Sequence, residues 1–246
     1  MNQAPLRGID PDDDLSRFAA IDAWVFDLDD TLYSIAPELA ALFDGRMRSF
    51  IEREIGLSPE EASRLQNDLF RRHGATARGL FIEHGVKPDD FLEYVHDVDH
   101  SLIEPDPVLA EAIGRLPGKR YVLTNSPLSH ATRAIEQIGA TAHFTEVFDF
   151  ASLGGHAKPN PKVYEALVAE IGALPERTAF FEDIARNLTE PQRLGMTTVL
   201  VVPPSTRELF RGDWDLEAGS RPTTDFVTEN LRGFLTAVLA KINPAD

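Results

Sequence analysis

The chain has 246 residues, 43% of them hydrophobic, enough to bury a full core in one large domain or in a domain carrying a smaller insert. Its formal net charge of -16 opposes binding to a nucleic-acid backbone, which calls for clustered Lys and Arg. Cysteine is absent, which excludes disulfides and thiolate metal sites, and no apolar run approaches the ~18 residues of a membrane span; the expectation is a soluble cytoplasmic protein with neither nucleic acid nor membrane as partner.

Residues 1–20 include the acidic run Asp10 to Asp14 and read as a loose extension outside the fold. Short apolar runs at 23–26, 121–123, 146–148, 178–181 and 197–202 have the length and composition of buried strands. From the second run onward they alternate with helical patterns such as 129–138 and 161–171, the latter opening on Pro161. That alternation predicts an α/β fold, a doubly wound parallel sheet with helices on both faces.

More than ninety residues without a strand separate the first run from the second, too many for a simple crossover. Leu39, Phe43, Met47, Phe50, Ile51 and Ile55 share one helical face, Ser58 precedes Pro59 and Glu61 as a capped helix start, and Pro88 opens another helix. These features predict a helical cap domain over 35–104, inserted into a core made of 21–34 and 105–246. Residues 203–225 read as an irregular surface excursion before a last helix near 230–241.

The densest chemical signal follows the first strand. Asp27, Asp29 and Asp30 stand at the carboxyl end of that run, where open α/β sheets bind ligands, and their mutual repulsion calls for a divalent cation or for hydrogen bonds. The same hexapeptide also suits an acidic turn capping the next helix. The second run ends in Thr124, Asn125 and Ser126, a cradle of hydroxyls and main-chain N–H groups fit for phosphoryl oxygens; Lys158 precedes the helix at 161; the fourth run ends in Glu182 and Asp183. In order, the strand ends supply paired carboxylates, a hydroxyl, a lysine and a second acidic pair.

On Asp27/Asp29/Thr31, Thr124, Lys158 and Glu182/Asp183, over about residues 21–202, the sequence resembles the haloacid dehalogenase superfamily. The resemblance implies that Asp27 is the nucleophile and Asp29 the general acid/base of a phosphatase working through an aspartyl-phosphate. It implies Mg2+ held by Asp27, the main-chain carbonyl of Asp29 and Asp183, with Glu182 in or near the shell. Thr124 and Asn125 would hold phosphoryl oxygens, Lys158 would screen nucleophile and phosphate, Thr31 would support the loop, and Asn187 is a candidate for the outer metal shell or an ordinary helix-surface residue.

The segment His73 to Leu80, and His96 to His100 with Pro105 and Asp106, look like the pyrimidine 5'-nucleotidase branch, from which the chain departs at His73, where Tyr is common, and at Glu182, where Asp is more usual. This likeness makes Thr76 and Arg78 candidate contacts to the substrate and nucleoside 5'-monophosphates the expected substrates. A sugar-phosphate phosphatase or phosphoglucomutase is the alternative enzyme, and a fold that has lost catalysis and only binds is the alternative of another class. His96 and His100 lie one helical turn apart, a spacing compatible with zinc but more readily explained by packing or solvation.

Overall fold

The structure is a computed structural model and describes residues 14–202 and 224–243. Six strands form one sheet in the order β3-β2-β1-β4-β5-β6: β1 Ala23–Phe26, β2 Lys119–Leu123, β3 Glu146–Phe148, β4 Thr178–Glu182, β5 Thr197–Val201 and β6 Phe226–Thr228. Every pairing is parallel. Parallel strands are covered on both faces, which is why β1, β4 and β5 are buried at every residue rather than at alternate ones.

The pleat divides the side chains between two cores. Trp24, Phe26 and Phe181 face one way and pack with α5 Pro107–Arg115, α6 Leu128–Ile138 and α9 Leu231–Ile242; Ala23, Val25 and Phe180 face the other, toward α7 Pro161–Ile171 and α8 Thr189–Leu194. This is the doubly wound parallel sheet expected from the alternation of patterns.

Between β1 and α5 the chain forms four helices: α1 Pro37–Ile55, α2 Pro59–His73, α3 Thr76–His84 and α4 Pro88–His96. The Ser58 hydroxyl accepts from Glu61 N while Glu61 accepts from Ser58 N, a reciprocal cap that starts α2 where the sequence places it. Phe50 meets Phe91 edge to face at 5.2 Å, joining α1 to α4. A Cβ at Gly79 would lie 2.7 Å from Leu69 Cβ, so this glycine lets α3 close on α2.

The reading of the first twenty residues needs correction, and the sheet has one strand more than expected. The expected loose extension through residue 20 fails from Leu15 onward: Leu15–Ala20 is a 3-10 helix whose Phe18 is fully buried against Trp24, Phe226 and Phe234. The adjacent acidic run hid two apolar residues that the sheet needs as a cover. β6 was not foreseen, because Phe226 to Thr228 directly follows the stretch read as an irregular excursion at 203–225, of which residues 203–223 lie outside the described residues. The stretch around Thr76 and Arg78 is helical from Thr76, with the turn confined to Gly74 at φ 79° and Ala75.

Candidate active site

Asp27 extends the sheet by one bond, its N–H donating to Phe181 O at 2.9 Å, and the chain then curls in a single turn in which Leu28 O accepts from Leu32 N at 2.9 Å. Asp30 makes the reversal with φ 58°, a conformation that Asp tolerates better than most residues, and its carboxylate accepts from Ile35 N at 2.9 Å. The local result is a set of carboxylates projecting beyond the carboxyl edge of β1.

The neighbouring strand ends bring in the rest. Lys158 is buried, and its Nζ donates to Asp27 Oδ1 at 2.5 Å, Glu182 Oε2 at 2.6 Å and Leu123 O at 2.9 Å. Asn125 grips the lysine's main chain, accepting from Lys158 N at 2.8 Å and donating to Lys158 O at 3.3 Å. The Asn125 amide, expected on phosphoryl oxygens, is therefore engaged in holding Lys158. Thr124 Oγ1 accepts from Ser126 N at 3.0 Å, which points the hydroxyl's own hydrogen elsewhere.

Asp27, Glu182 and Asp183 offer carboxylate oxygens that all lie within 4.8 Å of one another; among the described residues this is the only such group of three or more acidic, His or Cys side chains. Burial pushes the Asp27 carboxyl up to about 8, helped by the charge of Glu182 and opposed by Lys158. Burial likewise raises Asp183 well above the usual range, with Glu182, Asp27 and Asp30 adding to it. Burial opposes the charge of Lys158, but Asp27 and Glu182 outweigh it and hold the ammonium above its ordinary range. One lysine does not neutralise this cluster. Asn187 Oδ1 is also buried there without a hydrogen-bond partner. Clustered hard oxygen donors with surplus negative charge fit a small divalent cation such as Mg2+. Asp29 is expected at the metal through its main-chain carbonyl, and its carboxylate is not part of the cluster.

Instead, the Asp29 carboxylate turns the other way. Oδ1 accepts from the Tyr33 hydroxyl and faces His130 Nε2 at 2.9 Å, and Oδ2 lies 2.7 Å from Ser126 Oγ. Burial alone would raise this carboxyl, but the charge and hydrogen bond of His130, then His96 and the Tyr33 hydroxyl, outweigh burial and hold it well below the usual range. Behind it, His130 Nδ1 meets His100 Nε2 at 2.9 Å and His96 Nε2 meets Ser126 Oγ at 3.2 Å. His96 and His100 thus pack toward Asp29, and among the described residues they form no zinc-type ligand group. Sequence reasoning did not assign Tyr33, Ser126 and His130 to the Asp29 side chain. The one available signal for His130 was a histidine amid the apolar positions of α6.

A cavity of about 600 Å3 opens over both carboxylates. Asp27, Asp29, Thr124, Asn125, Lys158, Glu182, Asp183 and Asn187 line its floor, and Phe43, Met47, Phe70, Phe91 and Leu92 line the side formed by the four helices, together with Asp44, Gln66 and Asn67. Thr76 borders the cavity. Arg78, the other expected substrate contact, does not; the guanidinium-bearing residues on the lining are Arg71 and Arg186.

A family model for haloacid dehalogenase-like hydrolases matches residues 21–195. The chain belongs to the haloacid dehalogenase-like hydrolases. This hydrolase is 26% identical over 212 residues to phosphate metabolism protein 8 of Saccharomyces cerevisiae, covering 77% of this chain and 63% of that protein. It is 31% identical over 193 residues to a phosphatase of Mycobacterium tuberculosis, covering 74% and 88%. It is 26% identical over 196 residues to a glyceraldehyde 3-phosphate phosphatase of Methanopyrus kandleri, covering 74% and 84%. Among solved structures, the fold of this hydrolase is similar to that of a phosphatase from Thermococcus onnurineus, with a TM-score of 0.60 at 19% identity over 89% of this chain and 98% of the other. Among the described residues no helix is long and apolar enough to cross a membrane.

Proposed function

We propose that this hydrolase is a Mg2+-dependent phosphatase acting on nucleoside 5'-monophosphates through an aspartyl-phosphate. The observation that carries the reading is the pair of carboxylates with opposite surroundings under one cavity. Asp27 lies beside a cation-demanding cluster, and Asp29 stands apart from it on a polar perch. Displacement of a halide needs no acid for the leaving group, whereas expulsion of an alkoxide from a phosphate ester does, so a second, separately held carboxyl favours ester chemistry.

In the first step an Asp27 oxygen bonds to phosphorus as the ester P–O bond breaks, and the departing oxygen takes, through Asp29, the proton that Asp29 shares with His130 Nε2. In the second, Asp29 removes a proton from water as the water oxygen bonds to phosphorus and the bond from phosphorus to Asp27 breaks, which releases phosphate and restores both carboxyls. Lys158, already bonded to Asp27, steadies the nucleophile, and Thr124 donates to a phosphoryl oxygen. Mg2+ would be held by Asp27, Asp183 and the main-chain carbonyl of Asp29 with Glu182 beside them, and would neutralise phosphoryl and carboxylate charge.

The aromatic and aliphatic wall of Phe43, Phe70, Phe91 and Leu92 suits the faces of a base, and the Gln66 and Asn67 amides suit its polar edge. Asp44 and the same amides would equally serve sugar hydroxyls, and the likeness to a glyceraldehyde 3-phosphate phosphatase supports that second reading. Phosphate release with Mg2+ from UMP, CMP, AMP, glucose 6-phosphate and glyceraldehyde 3-phosphate separates the two. UMP and CMP are expected to lead; sugar phosphates turned over faster than every nucleotide would overturn the nucleotide assignment.

A further inference from the structure

Resting on the reading of Asp29 as acid/base, we infer that His130 is a positioning residue for Asp29. His96 and His100 would tie its orientation to the segment that leaves the four-helix insert.

One oxygen of Asp29 is secured by an arm of two histidines that ends on a main-chain carbonyl of that segment, and the other by Ser126, against which a third histidine of the segment packs. The arm runs from Oδ1 to His130 Nε2 at 2.9 Å, from His130 Nδ1 to His100 Nε2 at 2.9 Å, and from His100 Nδ1 to Val98 O at 2.9 Å. On the other side Ser126 Oγ donates to Oδ2 at 2.7 Å and His96 donates from Nδ1 to Leu92 O at 2.8 Å, which leaves the His96 Nε2 lone pair 3.2 Å from Ser126 Oγ. A carbonyl only accepts, so His100 donates from Nδ1; with its remaining nitrogen accepting, His130 donates from Nδ1 and turns Nε2 to Asp29. One hydrogen then lies between Nε2 and Oδ1.

The ring of His130 is fully buried, with Phe43 edge-on at 5.6 Å and His96 at 4.7 Å. Filling that space alone would be served by an apolar residue; three imidazoles converging on one carboxylate carry a desolvation cost that the hydrogen bonds offset. These groups come from different parts of the chain, His130 and Ser126 from the sheet side and His96 and His100 from the end of the insert. A movement of the segment from Leu92 to His100 therefore frees His130 Nδ1 and changes the surroundings of Ser126, while the Tyr33 hydroxyl stays on Oδ1.

The test uses phenyl phosphate, whose leaving oxygen needs a proton, against 4-nitrophenyl phosphate, whose leaving oxygen does not, with Mg2+ and rapid mixing. In His130→Phe, which keeps the bulk of the ring, single-turnover release of phenol is expected to slow about 100-fold, while the burst of 4-nitrophenolate stays within about threefold and KM changes little. His130→Gln, which restores a donor near Nε2, should recover about 10-fold of that loss, and His100→Phe should slow phenol release about 10-fold without adding to the loss in His130→Phe. These variants also stand in should His130→Phe fold poorly, which its thermal midpoint would show. Equal slowing of both substrates, or no change in phenol release across the folded variants, overturns the positioning role. A wild-type protein that hydrolyses neither ester overturns the phosphatase reading itself, and the inference with it.

Discussion

Asp27 and Asp29 are two residues apart in the chain, yet the fold gives them opposite surroundings. Asp27 is buried among Glu182 and Asp183 with one lysine, and its carboxyl is pushed up to about 8. Asp29 is held low by His130, His96 and Tyr33, although burial acts on it in the same sense. Two carboxyls can be given different chemical roles by their neighbours alone, and here the neighbours come from different sides of the sheet edge. Asp27 must be ionised to attack phosphorus, which a cation at the carboxylate cluster would favour against burial, whereas Asp29 is already satisfied by hydrogen bonds.

The sharpest way to break the contrast is to remove one carboxylate at a time. Asp27→Asn is expected to lower phosphatase kcat at least about 1000-fold with either aryl ester, and Asp29→Asn to spare the 4-nitrophenolate burst while slowing turnover on the order of 100-fold. If the two variants behave alike, the roles are not divided. Next in size is Lys158→Met, which leaves Asp27 and Glu182 buried without their shared ammonium; a loss of about 3–5 kcal/mol in denaturant unfolding without Mg2+ is expected. A loss of about 1 kcal/mol or less, the scale of a surface ion pair, would show the cluster to be solvated.

The cation itself should stabilise the fold by about 2.7 kcal/mol at 100 times its dissociation constant, read as a rise in thermal midpoint that Asp183→Asn removes and His130→Phe retains. A rise that survives Asp183→Asn would move the metal away from the carboxylate trio. The smallest effect belongs to the Asp29 side. Burial, then the charge of His130, lowers His96 from 6.5 to about 4 in the folded protein. The unfolded chain therefore takes up that proton first, and stability is whole above pH 6.5 and falls as pH drops toward 4. Between pH 6.5 and 4.5 the wild type should lose on the order of 2 kcal/mol more than His96→Phe. Parallel losses in the two proteins would mean that His96 is solvated when folded.

The sheet and the acidic strand ends were legible because they are local. A buried run such as Ala23 to Phe26 followed at once by Asp27 needs no knowledge of the rest of the chain to be read as a strand meeting a site. Three such junctions, before Asp27, Thr124 and Asp183, also predict their convergence, since parallel strands place all their carboxyl ends on one edge. The role of Phe18 was not legible, because its burial depends on Phe226 and Phe234 arriving from the far end of the chain. Nor was the absence of Arg78 from the cavity wall that Thr76 and Ala77 line, because which residues of α3 reach the cavity depends on how that helix is packed.

The sequence by itself determined the order of strands and helices, the acidic edge and the lysine that meets it, because hydrophobic runs and strand-end residues act over a few positions. Tertiary structure alone decided which way each carboxylate faces. His130 reaches Asp29 across 101 residues and Lys158 reaches Asp27 across 131, and contacts at that separation exist only once helices have packed on the sheet. Asp27 and Asp29 are near-equivalent as letters; burial, the surrounding charges and the histidines make them different as acids.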